Sequence, residues 1–158
     1  MKLQDVVAGT RGTYVGLRVM PPANMLMMKH CADNGIPYKQ SMFESRLHTT
    51  LIYSRVYCPN LVVDPSVIYN CEFGGYDIFS GQNGEHVLVM LLKSEQLQER
   101  HAFLMKEHGA TYDFPSYKPH ITLSYNYTDN SVMGINPYEG MIQLGLEYTE
   151  DLDLNYGS

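Results

Sequence analysis

The chain has 158 residues, 44% of them hydrophobic, which suits one globular domain with a real core. Its 11 Lys and Arg stand against 17 Asp and Glu, a formal net charge of −6, so it lacks the basic stripe that a long nucleic acid demands, while a small anionic ligand held by local donors stays open. Cys31, Cys58 and Cys71 form no CxxC pattern, Met1 to Ala8 lack the apolar run of a signal peptide, and no stretch approaches the ~18 apolar residues of a membrane span, so a soluble, cytoplasmic protein with reduced thiols is expected.

In chain order, residues 13–20 (TYVGLRVM) read as a strand ended by Pro21-Pro22. Pro22 suits the first turn of a helix over 23–34, stopped by Gly35, with Met25, Met27 and Met28 as core filler. A connector, 36–46, leads to a strand at 47–53, and a loop with Pro59 and Pro65 leads to another at 67–79. The turn Gly81-Gln82-Asn83-Gly84 carries the strong Asn-Gly hairpin signal and opens a strand at 86–92. Ser94 can cap a helix over 95–108, whose Leu97, His101, Leu104 and Met105 share a face and which Gly109 stops. Residues 110–119 connect to a strand at 119–125; a polar loop, 126–137, a last strand at 141–148 and an acidic tail follow. The connectors 36–46 and 126–137 are expected to close over any cleft.

Two of these strands repeat one pattern. Leu47-His48-Thr49-Thr50-Leu51-Ile52-Tyr53 and Pro119-His120-Ile121-Thr122-Leu123-Ser124-Tyr125 both contain His-x-Thr-Leu-x-Tyr. Random placement of 6 His and 8 Thr gives roughly 0.3 His-x-Thr matches, so two copies with shared flanks argue for duplication. By alternation His48 and Thr50 share a face, as do His120 and Thr122, with Leu51, Tyr53, Leu123 and Tyr125 on the other. The element order repeats as well: strand, helix, His-x-Thr strand, strand, over 13–79 and again over 86–148. The expected fold is α+β, two pseudo-symmetric halves whose antiparallel sheets form a concave cleft lined by His and Thr, with the helices outside.

Two histidines facing one phosphodiester can take a proton from an attacking hydroxyl and give one to the leaving oxygen. Thr50 and Thr122 can donate to non-bridging oxygens and stabilise charge there. The scheme needs no metal and no cofactor. One His-Thr pair on a strand is ordinarily a satisfied polar pair; the doubling lifts it above that. A zinc site has less support, since no HExxH is present and no carboxylate or Cys lies at ligand spacing. His30, His86, His101 and His108 read as surface or core-edge residues.

The two motifs, on strands of two similar halves, resemble those of the two-histidine phosphoesterase superfamily, whose members cleave cyclic phosphates or RNA-like phosphodiesters without metal in a pseudo-two-fold cleft. Within it the chain most resembles the phage anti-CBASS phosphodiesterases, in its length, its opening GTYVGLRV and its SRLHTTLIYSR and YKPHITLSY segments. The resemblance implies a phosphodiesterase acting on cyclic di- and trinucleotide messengers, such as 3′,3′-cGAMP, in the infected host cytoplasm. It implies attack by a ribose 2′-hydroxyl, then opening of a 2′,3′-cyclic phosphate by water, with His48 and His120 as acid and base in either order. It favours Tyr14, Glu147 and an aromatic near Gly74-Gly75 for substrate binding: Tyr76, with Phe79 as alternative, because the chain has no Trp. Lys118 can assist at phosphate, or be an ordinary solvated lysine. Two rival readings stay open: an enzyme for 2′,3′-cyclic RNA ends, which the acidic balance disfavours, and a module that sequesters a cyclic nucleotide, for which two acid/base pairs are superfluous. The oligomeric state is not legible.

Overall fold

The computed structural model describes residues 11–81 and 83–154; the readings that fall on Met1 to Ala8 and on Gln82 lie outside the described residues. Every predicted strand and helix is present: β1 (Arg11–Val19), α1 (Ala23–Asp33), β2 (His48–Ser54), β3 (Tyr69–Ser80), β4 (His86–Lys93), the helix predicted at 95–108, β5 (His120–Tyr127) and β6 (Ile142–Asp153), together with one further helix. That further helix, α2 (Gln40–Ser45), lies inside the stretch read as a connector. Six residues are too few for helical periodicity to register; what holds the turn is its fully buried Phe43, whose carbonyl accepts from Asn24 Nδ2 at 2.9 Å. Helix α3 (Glu95–His108) follows its signals: Ser94 Oγ accepts from the Leu97 N–H at 3.2 Å, and Gly109 ends it at φ +61°. Strand β6 continues through the segment read as an acidic tail, because its register with β1 runs from Leu144–Val19 to Asp153–Arg11, and its carboxylates sit on an exposed edge where Asp151 pairs with Arg11 at 2.7 Å.

The fold is mixed α+β, with six antiparallel strands in one sheet and three helices among the described residues. The strands close in the order β1-β2-β5-β4-β3-β6, and β6 pairs back onto β1. Two junctions are narrow: β2 meets β5 through Thr49 and Ile121, and β3 meets β6 through Tyr69, Asn70 and Cys71 against Leu144, Gln143 and Ile142. The helices cover one face of the sheet. Met27 of α1, Phe43 of α2, and Leu97 and Leu104 of α3 bury completely against Val15, Leu17, Leu51, Leu88, Met90, Ile121, Leu123 and Leu144. Of the three helix methionines read as filler, Met27 is fully buried and Met28 packs at the margin, but Met25 is 42% exposed, one residue outside the buried Ala23-Met27-Cys31 stripe. No helix among the described residues is long and apolar enough to cross a membrane.

Candidate active site

The two His-x-Thr-Leu-x-Tyr segments fold alike, in a way that strict alternation misses. Across β1 and β2, Val15 faces Ile52 and Gly16 faces Thr50, so Leu51 has no partner in the ladder. Across β4 and β5, Leu88 faces Ser124 and Val89 faces Thr122, which leaves Leu123 extra at the same place in the motif. Each is a β-bulge, and a bulge resets which side chains point where. Leu51 and Ile52 are therefore both buried, as are Leu123 and Ser124, and Tyr53 and Tyr125 emerge 40% and 55% exposed. The expected sharing of one core face by Leu51 with Tyr53, and by Leu123 with Tyr125, is corrected by this one residue: His, Thr and Tyr of each motif lie together.

Alternation about the fully buried pair Thr49–Ile121 puts His48, Thr50, His120 and Thr122 on the face away from the helices, each partly exposed. The antiparallel direction sets His48 across from Thr122 and Thr50 across from His120. Each ring is tied in the same manner. The Nδ1–H of His48 donates to the Arg46 carbonyl at 2.8 Å, and that of His120 to the Lys118 carbonyl at 2.9 Å. A carbonyl only accepts, so Nδ1 carries the proton and Nε2 of both rings is left for chemistry. Burial pulls the His120 pKa below the ordinary imidazole value, against the Lys118 carbonyl, which raises it, and the charge of His48 lowers it further.

Aromatic rings stand on both sides of this set. On the β1 side the Tyr14 hydroxyl lies 3.0 Å from Thr50 Oγ1, and its ring packs edge-on to His48 and Tyr53, each at 6.4 Å. Burial pushes the Tyr14 phenol well above its usual range, so it stays a donor at any working pH. Beside His120, a cavity of about 590 Å³ is lined by Phe79, Tyr112, Phe114, Lys118 and His120 among others. Phe79 meets the His120 ring edge-on at 5.1 Å. The wall comes from the 110–119 connector rather than from 36–46 or 126–137; the latter is held on the helix side, where Asn136 accepts from Tyr76 and donates to Asn34.

Two residues favoured for substrate binding lie elsewhere. Tyr76 faces Met90 on the core side, because the β3 register shifts between Phe73 and Tyr76 at Gly74-Gly75, and its hydroxyl contacts Asn136 and His30. Glu147 points toward α3, where Arg100 holds both its oxygens at 2.6 and 3.1 Å and the Asp64 N–H donates to it at 3.0 Å. In its place the site face carries Tyr148: the β1–β6 register slips between Gly16 and Arg18, beside Leu146 at φ +53°, and brings Tyr148 opposite Gly16. A Cβ on Gly16 would come within 2.7 Å of the Tyr148 ring, so only glycine lets that ring lie there. Period-two reading of β1 from Tyr14 through Gly16 would have flagged Arg18 too; Tyr148 had no such signal, being displaced by a bulge.

The family model described as anti-CBASS protein Acb1 matches residues 11–158. Curated proteins of that same name are similar along most of the chain. One from Acinetobacter phage Ac42 is 31% identical over 156 residues, covering 99% of each chain. One from Salmonella phage S16 is 36% identical over 164 aligned residues, covering 99% of this chain and 96% of its own. One from Enterobacteria phage T4 is 38% identical over 112 residues, 70% of each. With a family model spanning both His-x-Thr strands and relatives matched nearly end to end, the chain belongs to the Acb1 family of anti-CBASS proteins.

Proposed function

We propose that the protein is a two-histidine phosphodiesterase that opens cyclic di- and trinucleotide messengers, such as 3′,3′-cGAMP, and thereby counters CBASS immunity in the host cell. The observation that carries this reading is the doubled set: two imidazoles with Nδ1 tied to a carbonyl two residues back and Nε2 free, each with its own threonine, on one face of adjoining strands. Support for two related halves comes from the ring of strands, whose order is unchanged when β1, β2 and β3 are exchanged with β4, β5 and β6, and from the bulge at the same leucine in both motifs. The family name carried by the phage relatives supports the biological role.

The depressed pKa of His120 suits it to be the base of the first step. His120 Nε2 takes the ribose 2′-hydroxyl proton, the 2′-oxygen bonds to phosphorus, and the bond to the 5′-oxygen breaks as His48 gives that oxygen a proton. The product is a linear nucleotide ending in a 2′,3′-cyclic phosphate. In the second step His48 takes a proton from water, the hydroxide bonds to phosphorus, and His120 protonates the departing 2′-oxygen, leaving a terminal phosphate. Thr50 and Thr122 donate to the non-bridging oxygens, and the Tyr14 phenol, by donating to Thr50, leaves that hydroxyl's proton for phosphate. Proton transfer and hydrogen bonds are all the scheme uses.

The test is product analysis of 3′,3′-cGAMP incubated with the protein in excess EDTA, beside His48→Ala and His120→Ala. Linear product from the parent and none from either variant is the expected result. An intact ring recovered from a bound complex would replace catalysis by sequestration. Neither binding nor cleavage would overturn the substrate assignment and turn attention to 2′,3′-cyclic RNA ends.

A further inference from the structure

Arg18 lies on β1 across from His48, on the His/Thr face. Its guanidinium stacks on the Tyr148 ring at 4.2 Å from the centroid, and that ring rests over Gly16 and beside Tyr14 at 6.0 Å. The strand order β5-β2-β1-β6 therefore carries His120, His48, Arg18 and Tyr148 on successive strands. Its platform, the Tyr148 ring, lies over Gly16 of β1, whereas the two imidazoles stand on β2 and β5.

Among the described residues, Arg11, Arg55 and Arg100 pair with Asp151, Asp113 and Glu147, whereas no carboxylate forms an ion pair with Arg18. In a chain of net charge −6, a stacked guanidinium left without an acidic partner at the edge of an anion site is prepared for a ligand anion. The phosphate undergoing reaction already has two Nε2 atoms and two hydroxyls around it. A ring of two or three nucleotides brings further phosphates, each one ribose away.

We propose that Arg18, held by Tyr148, binds a non-reacting phosphate of the cyclic oligonucleotide and so selects substrates that carry more than one phosphodiester. The proposal rests on the phosphodiesterase reading and deepens it. A role of this kind acts on binding, so Arg18→Met should raise KM for 3′,3′-cGAMP about tenfold with kcat nearly unchanged. Arg18→Lys, which keeps the charge but loses the planar fork, should fall between. In a His48→Ala/His120→Ala background, where the ring stays intact, adding Arg18→Met should lower the slope of log affinity against log salt by about 0.7, the value of one phosphate contact on a single strand. Thermal unfolding of each variant separates misfolding from lost binding, and Tyr148→Leu, which keeps the cation but removes its platform, should raise KM less than Arg18→Met does.

A fall in kcat at unchanged KM would mean that Arg18 serves the reacting phosphate, and an unchanged KM and salt slope would mean that it contacts no phosphate; either overturns the proposal. If the unmodified protein neither binds nor opens 3′,3′-cGAMP, the assignment of cyclic oligonucleotides as substrate fails first, which the parent protein alone reveals.

Discussion

His120 sets the pH behaviour expected of the site. As the proposed base of ring opening it would have to be neutral, and burial holds its pKa below the ordinary value of about 6.5. Activity should therefore persist below the pH at which an ordinary imidazole takes up its proton, with the acid limb of kcat/KM against pH shifted to lower pH than a free histidine would give. Stability moves with the same sign. His101 is also depressed by burial, against the Leu51 carbonyl, so the unfolded chain binds more protons than the folded one between the two states' pKa values. Stability that is complete above about pH 6.5 should be lost as pH falls through the depressed values, read as a falling Tm from pH 7 to 5. An unfolding curve flat over that window would contradict the burial argument. That His48, Thr50, His120 and Thr122 share one face was legible because the repeated motif sits on two strands with the same two-residue spacing. Arg18 and Tyr148 were not, because a cation stacked on a ring across two strands leaves no spacing in one segment.

Bulges decide which side chains each strand offers. Those at Leu51 and Leu123 turn Tyr53 and Tyr125 out of the core, and the one at Gly74-Gly75 takes Tyr76 to the core and leaves Phe79 next to His120. Gly75 sits at φ +105°, where no atom lies within 4 Å of an added Cβ. Gly75→Ala should thus cost only the backbone term, about 1–3 kcal/mol, or a Tm lower by roughly 2–4 °C for each kcal/mol in a chain of this size. A melt equal to the parent's would mean that β3 can shed its bulge. At this scale the sequence was readable where caps and glycines mark helix ends, as at Ser94, Gly109 and Gly35. It was not readable where an inserted residue reverses the period-two pattern, since Thr-to-Tyr spacing of three looks like a change of face until the bulge is seen.

Across the molecule, Arg100 and Glu147 tie α3 to β6, with the Glu147 side chain fully enclosed and Arg100 also reaching the Val62 carbonyl at 3.3 Å. Removing one partner strands a buried charge, so Arg100→Met should lose about 3–5 kcal/mol in urea unfolding, while Arg100→Met with Glu147→Leu should regain most of it. Equal losses in the single and double variants would mean that the apolar stem of Arg100, not its charge, matters. The α+β class and the order of elements followed from periodicity, but closure of the strands into a ring did not, because pairing of β6 with both β1 and β3 depends on contacts remote in sequence. That ring is joined at β2 and β5 by the lone pair Thr49–Ile121. A ring so thinly stitched at one point is compliant there, since few backbone bonds must strain for the two sides to tilt. The distance between His48 and His120 is thus a mechanical variable, set by how tightly the helices brace the sheet from behind, and a guest that bridges both imidazoles acts as the missing stitch.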